Sequence, residues 1–563
     1  MPVSTGWKNM TNASTLTLGH PRFGDNALAD IAKREGDLAA WRQAFREHGA
    51  DAPARVTGDF AVAVELDDGR VFIAIDRFAI QTLCYRVEGD ELRVATRADE
   101  LGATELDPQA IFDYLYFHVI PSPRTIFRDV FRLPPGHCAL FEKGKLSLAP
   151  YWRPRFDELR NPSFAALRDE FHQIVKDAVT DRLAAGPAGC YLSGGTDSST
   201  VAGMVTRITG QPADTYSIGF AVDGYDEMEY ARLAVKHFGT RHHEYYVTPD
   251  DLVAGMPAVA ASYDQPFGNS SAVPAYYCAR MARQDGHDRM LAGDGGDELF
   301  GGNTRYATQR LFGIYGSLPG LLRRGIAEPL VDSGLLNRLP LLKKGASYVR
   351  KARVPMPDRM ESYNLIEHLG AGTILTPGFL ARIDTGIPLR HQRETYAACP
   401  ASASLINQML AYDWRYTLAE NDLPKVIGSA RLAGVEVGFP LLDDRLLDFS
   451  LKLPVSYKLK GLKLRWFFKE ALRGFLPDEI LVKKKHGFGL PFGPWAVNHP
   501  ALGKLATESL HGLADRDIVR RDFIDTLLKV HLPAHPGFHG ELVWIMTMLE
   551  QWLRTQQPVK HPD

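Results

Sequence analysis

Tyr191-Leu192-Ser193-Gly194-Gly195-Thr196-Asp197-Ser198-Ser199 decides the reading of this chain. An apolar lead-in able to form a buried strand runs into two glycines, an acid and hydroxyls. The helix-compatible Val201-Ala202-Gly203-Met204-Val205 follows. Without Cβ atoms at Gly194 and Gly195, backbone N–H groups can close on anionic oxygens, and the next helix aims its positive end at the same anion. Ser193, Ser198 and Ser199 add hydroxyl donors, and Asp197 is a hard oxygen ligand of the kind Mg²⁺ takes. No lysine follows the glycines, so this is not the G-x-x-x-x-G-K-[ST] phosphate loop.

Outward from this loop, short apolar or β-branched runs at 189–192, 214–220, 244–247 and 289–292 alternate with helical stretches at 165–183 and 225–237. That alternation predicts a doubly wound parallel sheet with ligands at the carboxyl ends of its strands. Upstream, Phe60-Ala61-Val62-Ala63-Val64, Asp67-Asp68-Gly69 and Val71-Phe72-Ile73-Ala74-Ile75 read as strand, turn and strand, hence a β-rich amino-terminal unit. The proline- and charge-bearing stretch 153–162 reads as a linker, and the texture turns mainly helical from about residue 304. The expected units are 1–155 and 163–555.

With 563 residues, several cores are expected. A net charge of −2 and a sequence pI near 6.8 call for neither nucleic acid nor an acidic membrane surface. Cys84, Cys138, Cys190, Cys278 and Cys399 lie far apart without a C-x-x-C pair, which argues against a disulfide framework or a zinc site. No apolar run has the length of a membrane span, and Met1-Pro2-Val3 opens no signal peptide, so a cytoplasmic location is expected. His242-His243 would point to opposite faces of a strand rather than to a shared metal, and the aromatics within 112–117 have the spacing of core packing.

The S-G-G-x-D-S-S order resembles the pyrophosphate loop of N-type ATP pyrophosphatases. Four further segments sharpen the resemblance: Ser217-Ile218-Gly219-Phe220, then Ala292-Gly293-Asp294-Gly295-Gly296-Asp297-Glu298-Leu299-Phe300-Gly301-Gly302, then Glu436-Val437-Gly438-Phe439-Pro440-Leu441-Leu442-Asp443, and Lys483-Lys484-Lys485-His486-Gly487-Phe488. In this order they resemble the asparagine synthetase superfamily, which includes β-lactam synthetases and lasso-peptide cyclases. The resemblance implies an amino-terminal Ntn-hydrolase-like, glutamine amidotransferase-like domain and a carboxyl-terminal ATP pyrophosphatase domain. It implies ATP and Mg²⁺, a small-molecule or peptide carboxylate and an amine as substrates, and is compatible with a homodimer.

Carried over residue by residue, the resemblance implies that Leu192, Ser193, Gly194, Gly195, Asp197, Ser198, Ser199, Ser217, Ile218, Gly219, Phe220, Gly293 and Arg465 surround the nucleotide. Asp197 and Asp297 would hold the metal, although Asp297 could instead cap its helix. Lys485 would stabilise developing negative charge. An amine nucleophile needs a base, and the family's position for it is Asp294; Glu436 is a second candidate, with a structural acid as its alternative.

Two departures stand out. Glutamine-dependent members begin Met-Cys-Gly, with the cysteine as nucleophile, whereas this chain begins Met1-Pro2-Val3; loss of glutaminase activity is expected. Where asparagine synthetases carry E-x-R-x-P-F-L-D and K-V-D-R, this chain has Gly438 in place of the arginine and Lys425-Val426-Ile427-Gly428. Burying both ionic ends of aspartate without partners is costly, so a larger or less polar acid is expected. The reading is an ATP-dependent amide ligase using ammonia or a substrate amine. Its rivals are a macrolactam cyclase, an ammonia-dependent asparagine synthetase and an ATP-binding relic without catalysis.

Overall fold

The computed structural model describes residues 15–316, 318–333, 340–361, 364–483 and 489–556. Its amino-terminal part is built on an antiparallel sheet of β1 (Leu16–Gly19), β2 (Phe60–Glu65), β3 (Val71–Ile75), β4 (His137–Glu142) and β5 (Lys145–Pro150), adjacent in that order. Strands β2 and β3 are almost continuously apolar because both faces of the sheet are covered. Phe60, Val62, Val64 and Phe72 pack under Trp41 and Phe45 of helix α2 (Asp37–His48), which pairs with α1 (Asn26–Glu35). Ala61, Ala63, Ile73 and Ile75 face the other way, onto Leu83, Tyr85 and Leu133.

The second sheet consists of β6 (Gly189–Tyr191), β7 (Asp214–Gly219), β8 (Arg241–Tyr246), β9 (Arg289–Leu291) and β10 (Glu436–Gly438), in the spatial order β8-β7-β6-β9-β10, all parallel. From β6 the chain winds outward through β7 and β8, then returns across the sheet to β9. The crevice beyond the ends of β6 and β9 is therefore the place where a doubly wound sheet binds ligands. Helix α4 (Phe164–Leu183), α5 (Thr196–Thr209) and α6 (Met228–Phe238) flank it, and the core beneath is rich in phenylalanine, with Phe171, Phe300, Phe449, Phe467 and Phe468 clustered. Residues 153–162, read as a linker, carry no regular structure.

The two parts are bolted together. The buried Glu420 carboxylate accepts from the Ser122 backbone N–H and hydroxyl and from Arg132, with Arg415 at 3.0 Å. Arg77 pairs with Asp444, and Arg22 reaches Asp443 at 3.0 Å. Helix α3 (Pro108–Phe117) carries the 112–117 aromatics into the core: Phe112, Tyr114 and Tyr116 are buried, and the Tyr114 hydroxyl donates to the Ile545 carbonyl. Ile545 lies on the long final helix, Pro536–Thr555. No helix among the described residues is long and apolar enough to cross a membrane. His242 takes the Thr215 hydroxyl as partner while His243 stacks on Tyr216 and pairs with Asp285. All five cysteines are buried and unbonded to one another.

Candidate functional site

A cleft of about 1490 Å³ opens at the carboxyl ends of β6, β7 and β9. The loop after β6 is fixed by its own hydroxyls. The Ser193 N–H donates to Ser198 Oγ at 3.1 Å, the two serine hydroxyls lie 3.0 Å apart, and the Gly195 N–H reaches Ser193 Oγ at 3.4 Å. Gly194 has φ +70, and a Cβ there would collide with the backbone of Ala231 on α6, so glycine is required for both conformation and space. Gly195 caps α5 without any side-chain bond to its first N–H groups, leaving that helix end turned toward the cleft. The Leu192 carbonyl accepts from the Ser217 hydroxyl, which joins this loop to β7.

The second loop follows β9 and enters the short helix Gly296–Phe300. A Cβ on Gly293 would stand 2.6 Å from the Ser198 backbone nitrogen, and one on Gly296 would overlap the Asp197 carboxylate. The two loops thus touch through glycines. Their acids converge on one cation: Arg465 Nη1 donates to Asp197 at 2.7 Å and to Asp297 at 2.5 Å, and Nη2 closes a second bond to Asp197. Arg465 is 5% exposed and stacks on Phe468 at 4.2 Å. Burial opposes its charge, but Asp197 and Asp297 outweigh that and hold its pKa above the ordinary value. The helix containing Asp297 is capped by Gly295, so Asp297 does not act as its N-cap.

Asp294 lines the same cleft. Burial, offset in part by Lys425 and reinforced by Asp422 and Asp197, pushes its carboxyl up to about 6. Lys425 lies 3.1 Å from Asp422, and the pair is joined in the lining by Asn269, Asn421, His118 and Glu541. Lys469 lines the other side; burial first and Arg465 second hold its pKa below the usual lysine range.

The structure brings together Leu192, Ser193, Gly195, Asp197, Ser198, Ser217, Ile218, Gly293, Asp294, Asp297 and Arg465 around one cleft. Gly194 supports it from behind. Ser199 is fully buried inside α5, Gly219 sits under the Tyr246 ring, and Phe220 is a core residue against Trp495; none of these three lines the cleft. Glu436 is a correction. It opens β10 at the amino end of the sheet, beside Arg289 at 4.0 Å, and its side chain is 69% exposed. It belongs to the wrong end of its strand to assist chemistry in the cleft. Lys485 lies outside the described residues; nearby Lys483 pairs with Glu227 at 3.2 Å.

Lys425, Lys469, Asn269, Asn421, His118 and Glu541 also line the cleft, and no motif in the sequence marks them as site residues. The Asp422 and Lys425 pair at i,i+3 was the only local signal. His118 is the C-cap of α3 in the amino-terminal part, so nothing near it in sequence announces the cleft.

The residues fit a nucleotide-borne divalent cation. Two carboxylates from separate loops meet at one point, and glycines at 296 and 302 leave the room that side chains would fill. No third acid or histidine completes an all-protein cage among the described residues. Mg²⁺ on phosphates commonly needs only one or two carboxylates.

The family model described as asparagine synthase matches residues 170–554, and a glutamine amidotransferase domain model matches residues 32–152. The chain is 23% identical over 535 residues to asparagine synthetase [glutamine-hydrolyzing] 1 of Bacillus subtilis (strain 168), covering 92% of this chain and 80% of that protein. It is 24% identical over 555 residues to asparagine synthetase [glutamine-hydrolyzing] 3 of the same organism, covering 92% and 80%. Similarity also extends to amidase chry2 of Gibberella zeae, 24% identical over 518 residues and covering 83% and 74%.

Proposed function

Since the chain belongs to the asparagine synthase family, we propose that it is an ATP-dependent ligase that adenylates a carboxylate, releases pyrophosphate and passes the acyl group to an amine. The observation that carries this reading is the meeting of Asp197 and Asp297, from two strand ends, at a single Arg465 nitrogen beside the hydroxyl-rich loop 193–198. Two carboxylates against one guanidinium leave a net negative point, which suits the divalent cation that accompanies a triphosphate.

The N-terminal end of α5 and the Ser193 and Ser198 hydroxyls bind phosphate oxygens, and Arg465 pairs with them in its planar fork. Asp197 and Asp297 would hold Mg²⁺, which supplies charge neutralisation on the phosphates. The substrate carboxylate oxygen attacks the α-phosphorus; the bond to the β-phosphate oxygen breaks and pyrophosphate departs. An amine then attacks the acyl carbon, the carbon–oxygen bond to AMP breaks, and the amine's proton passes to Asp294. A carboxyl near 6 is ionised at neutral pH yet basic enough for that transfer. Lys485, in the family's segment, is assigned the oxyanion.

Ammonia or a substrate amine, rather than glutamine, supplies the nitrogen. In support, every cysteine thiol is buried and pushed up, Cys138 and Cys399 to about 11, which denies each the thiolate that a glutaminase nucleophile needs. The acid is larger than aspartate. Gly428 gives its space to the Tyr263 ring, and the arginine standing against Gly438 is Arg182, whose head turns to Asp443 and not into the cleft. A side chamber of about 310 Å³ lined by Tyr116, Phe117, Tyr412 and Tyr416 adjoins the cleft at His118 and Glu541, giving an acyl or amine tail a place to lie.

The test is to incubate the protein with Mg-ATP and a panel of carboxylates and amines, reading acyl-adenylates by mass spectrometry and the nucleotide products by chromatography. AMP and pyrophosphate are expected. ADP and orthophosphate would overturn the reading, and turnover of aspartate with ammonia at the panel's best rate would overturn the larger acid.

A further inference from the structure

Arg465 does more in this geometry than neutralise two acids. It adopts a left-handed backbone, φ +53, at the head of the helix Trp466–Ala471, a conformation disfavoured for a side chain of its size. From there its guanidinium is delivered between two loops that come from opposite sides of the switch point. Phe468 backs one face of the fork at 4.2 Å. Three bonds go to carboxylates, while its Nε is buried without a hydrogen-bond partner. A buried donor left unpaired is costly, and here it belongs to a group facing the phosphate-binding loop.

We propose that Arg465 is a positioning residue that reserves the Asp197 and Asp297 site for a divalent cation arriving together with a nucleotide. A cation arriving alone would have to displace a guanidinium that then loses both bonded partners inside the protein, with Lys469 close by and only the field of Glu298 to offset the loss. A nucleotide removes that obstacle, because its phosphate oxygens offer the displaced fork a second bidentate partner and its Nε an acceptor. Cation and nucleotide therefore bind with positive coupling, each strengthening the other by the same factor. Until both are present, the ion pairs hold the two acids oriented and their loops in contact.

The inference rests on Asp197 and Asp297 being metal acids, and the experiment separates the two ideas. Mn²⁺ is titrated into the full chain and followed by electron paramagnetic resonance, alone and with α,β-methylene-ATP, which cannot be cleaved between its α- and β-phosphates. The wild type is expected to take Mn²⁺ at least about tenfold more weakly without the analogue. Arg465→Met is expected to gain Mn²⁺ binding without nucleotide by on the order of tenfold, and to melt at higher temperature as Mn²⁺ is added. Arg465→Lys, which keeps the charge, is expected to stay suppressed. Equal Mn²⁺ affinity of the wild type with and without the analogue would overturn the inference even if Arg465→Met does not fold. The same holds for a folded Arg465→Met that gains nothing. Absence of Mn²⁺ in every state would overturn the metal reading beneath it.

Discussion

Lys425 stands with its ammonium 3.7 Å from a carboxylate oxygen of Asp294, too far for a tight ion pair and near enough to share its field. Asp422 takes the closer contact, and Asp294 keeps a carboxyl raised from 3.8 to about 6, chiefly by burial. Amide formation should accordingly rise with pH to a plateau, with a midpoint near 6. The Asp294→Asn variant should lose that limb and about 10²-fold in rate. Its stability should move the opposite way. A raised carboxyl favours the fold below its unfolded pKa near 3.8, and this contribution is lost as pH rises through about 6. At pH 8 the asparagine variant should be more stable than the wild type by about 3 kcal/mol, read from thermal melts at pH 5 and pH 8.

Asp197 and Asp297 act as one unit with Arg465. Neutralising either acid, as Asp197→Asn or Asp297→Asn, should lower the exchange of labelled pyrophosphate into ATP by at least about 10²-fold. Exchange at the wild-type rate in either variant would remove both acids from the reaction.

Contact between the loops after β6 and β9 depends on a missing methyl group. Gly293→Ala would place a Cβ 2.6 Å from the Ser198 nitrogen, which is backbone and cannot swing away. Nucleotide affinity should fall by about tenfold or more, with a stability cost of about 1–3 kcal/mol. Gly372→Ala, where a Cβ meets nothing within 4 Å, should leave both unchanged.

Glu420 holds the two halves by a buried carboxylate among Arg132, Arg415 and Ser122. Burial raises its pKa, but the arginines and Ser122 prevail and hold it below the ordinary 4.5. Its stabilisation is therefore present above about pH 4.5 and lost as pH falls through the lower folded value. Glu420→Ala should cost about 3 kcal/mol at pH 7, measured by thermal unfolding, because two half-buried cations lose their counter-charge.

Much of this architecture is legible where side-chain pattern and covalent constraint agree. The apolar runs Phe60-Ala61-Val62 and Val71-Phe72-Ile73 announce a hairpin of a β-rich unit, and the glycines after Leu192 and Ala292 mark the two loops. Strand β8 begins at Arg241, three residues before the expected run, because edge-strand residues such as Arg241 and His243 face partly outward and carry no apolar signal. Strand β10 shows in the sequence only as a motif, and of the two readings open for Glu436 the structure takes it away from the cleft, because sequence proximity to the P-x-L-D turn says nothing about which end of a strand a residue occupies. The pairing of Arg465 with Asp197 and Asp297 spans 268 and 168 positions, so only the fold could reveal it.

The carbonyl of His118 accepts the Gly268 N–H at 2.8 Å, and Gly268 in turn receives the Trp544 indole at 2.9 Å. A residue of the amino-terminal half is thereby pinned to the rim where the acyl or amine tail would enter. Exchanging that part between relatives should thus alter which substrates enter, and deleting it should unroof the chamber. The glutamine amidotransferase-like part in this way serves as masonry for its neighbour's cleft.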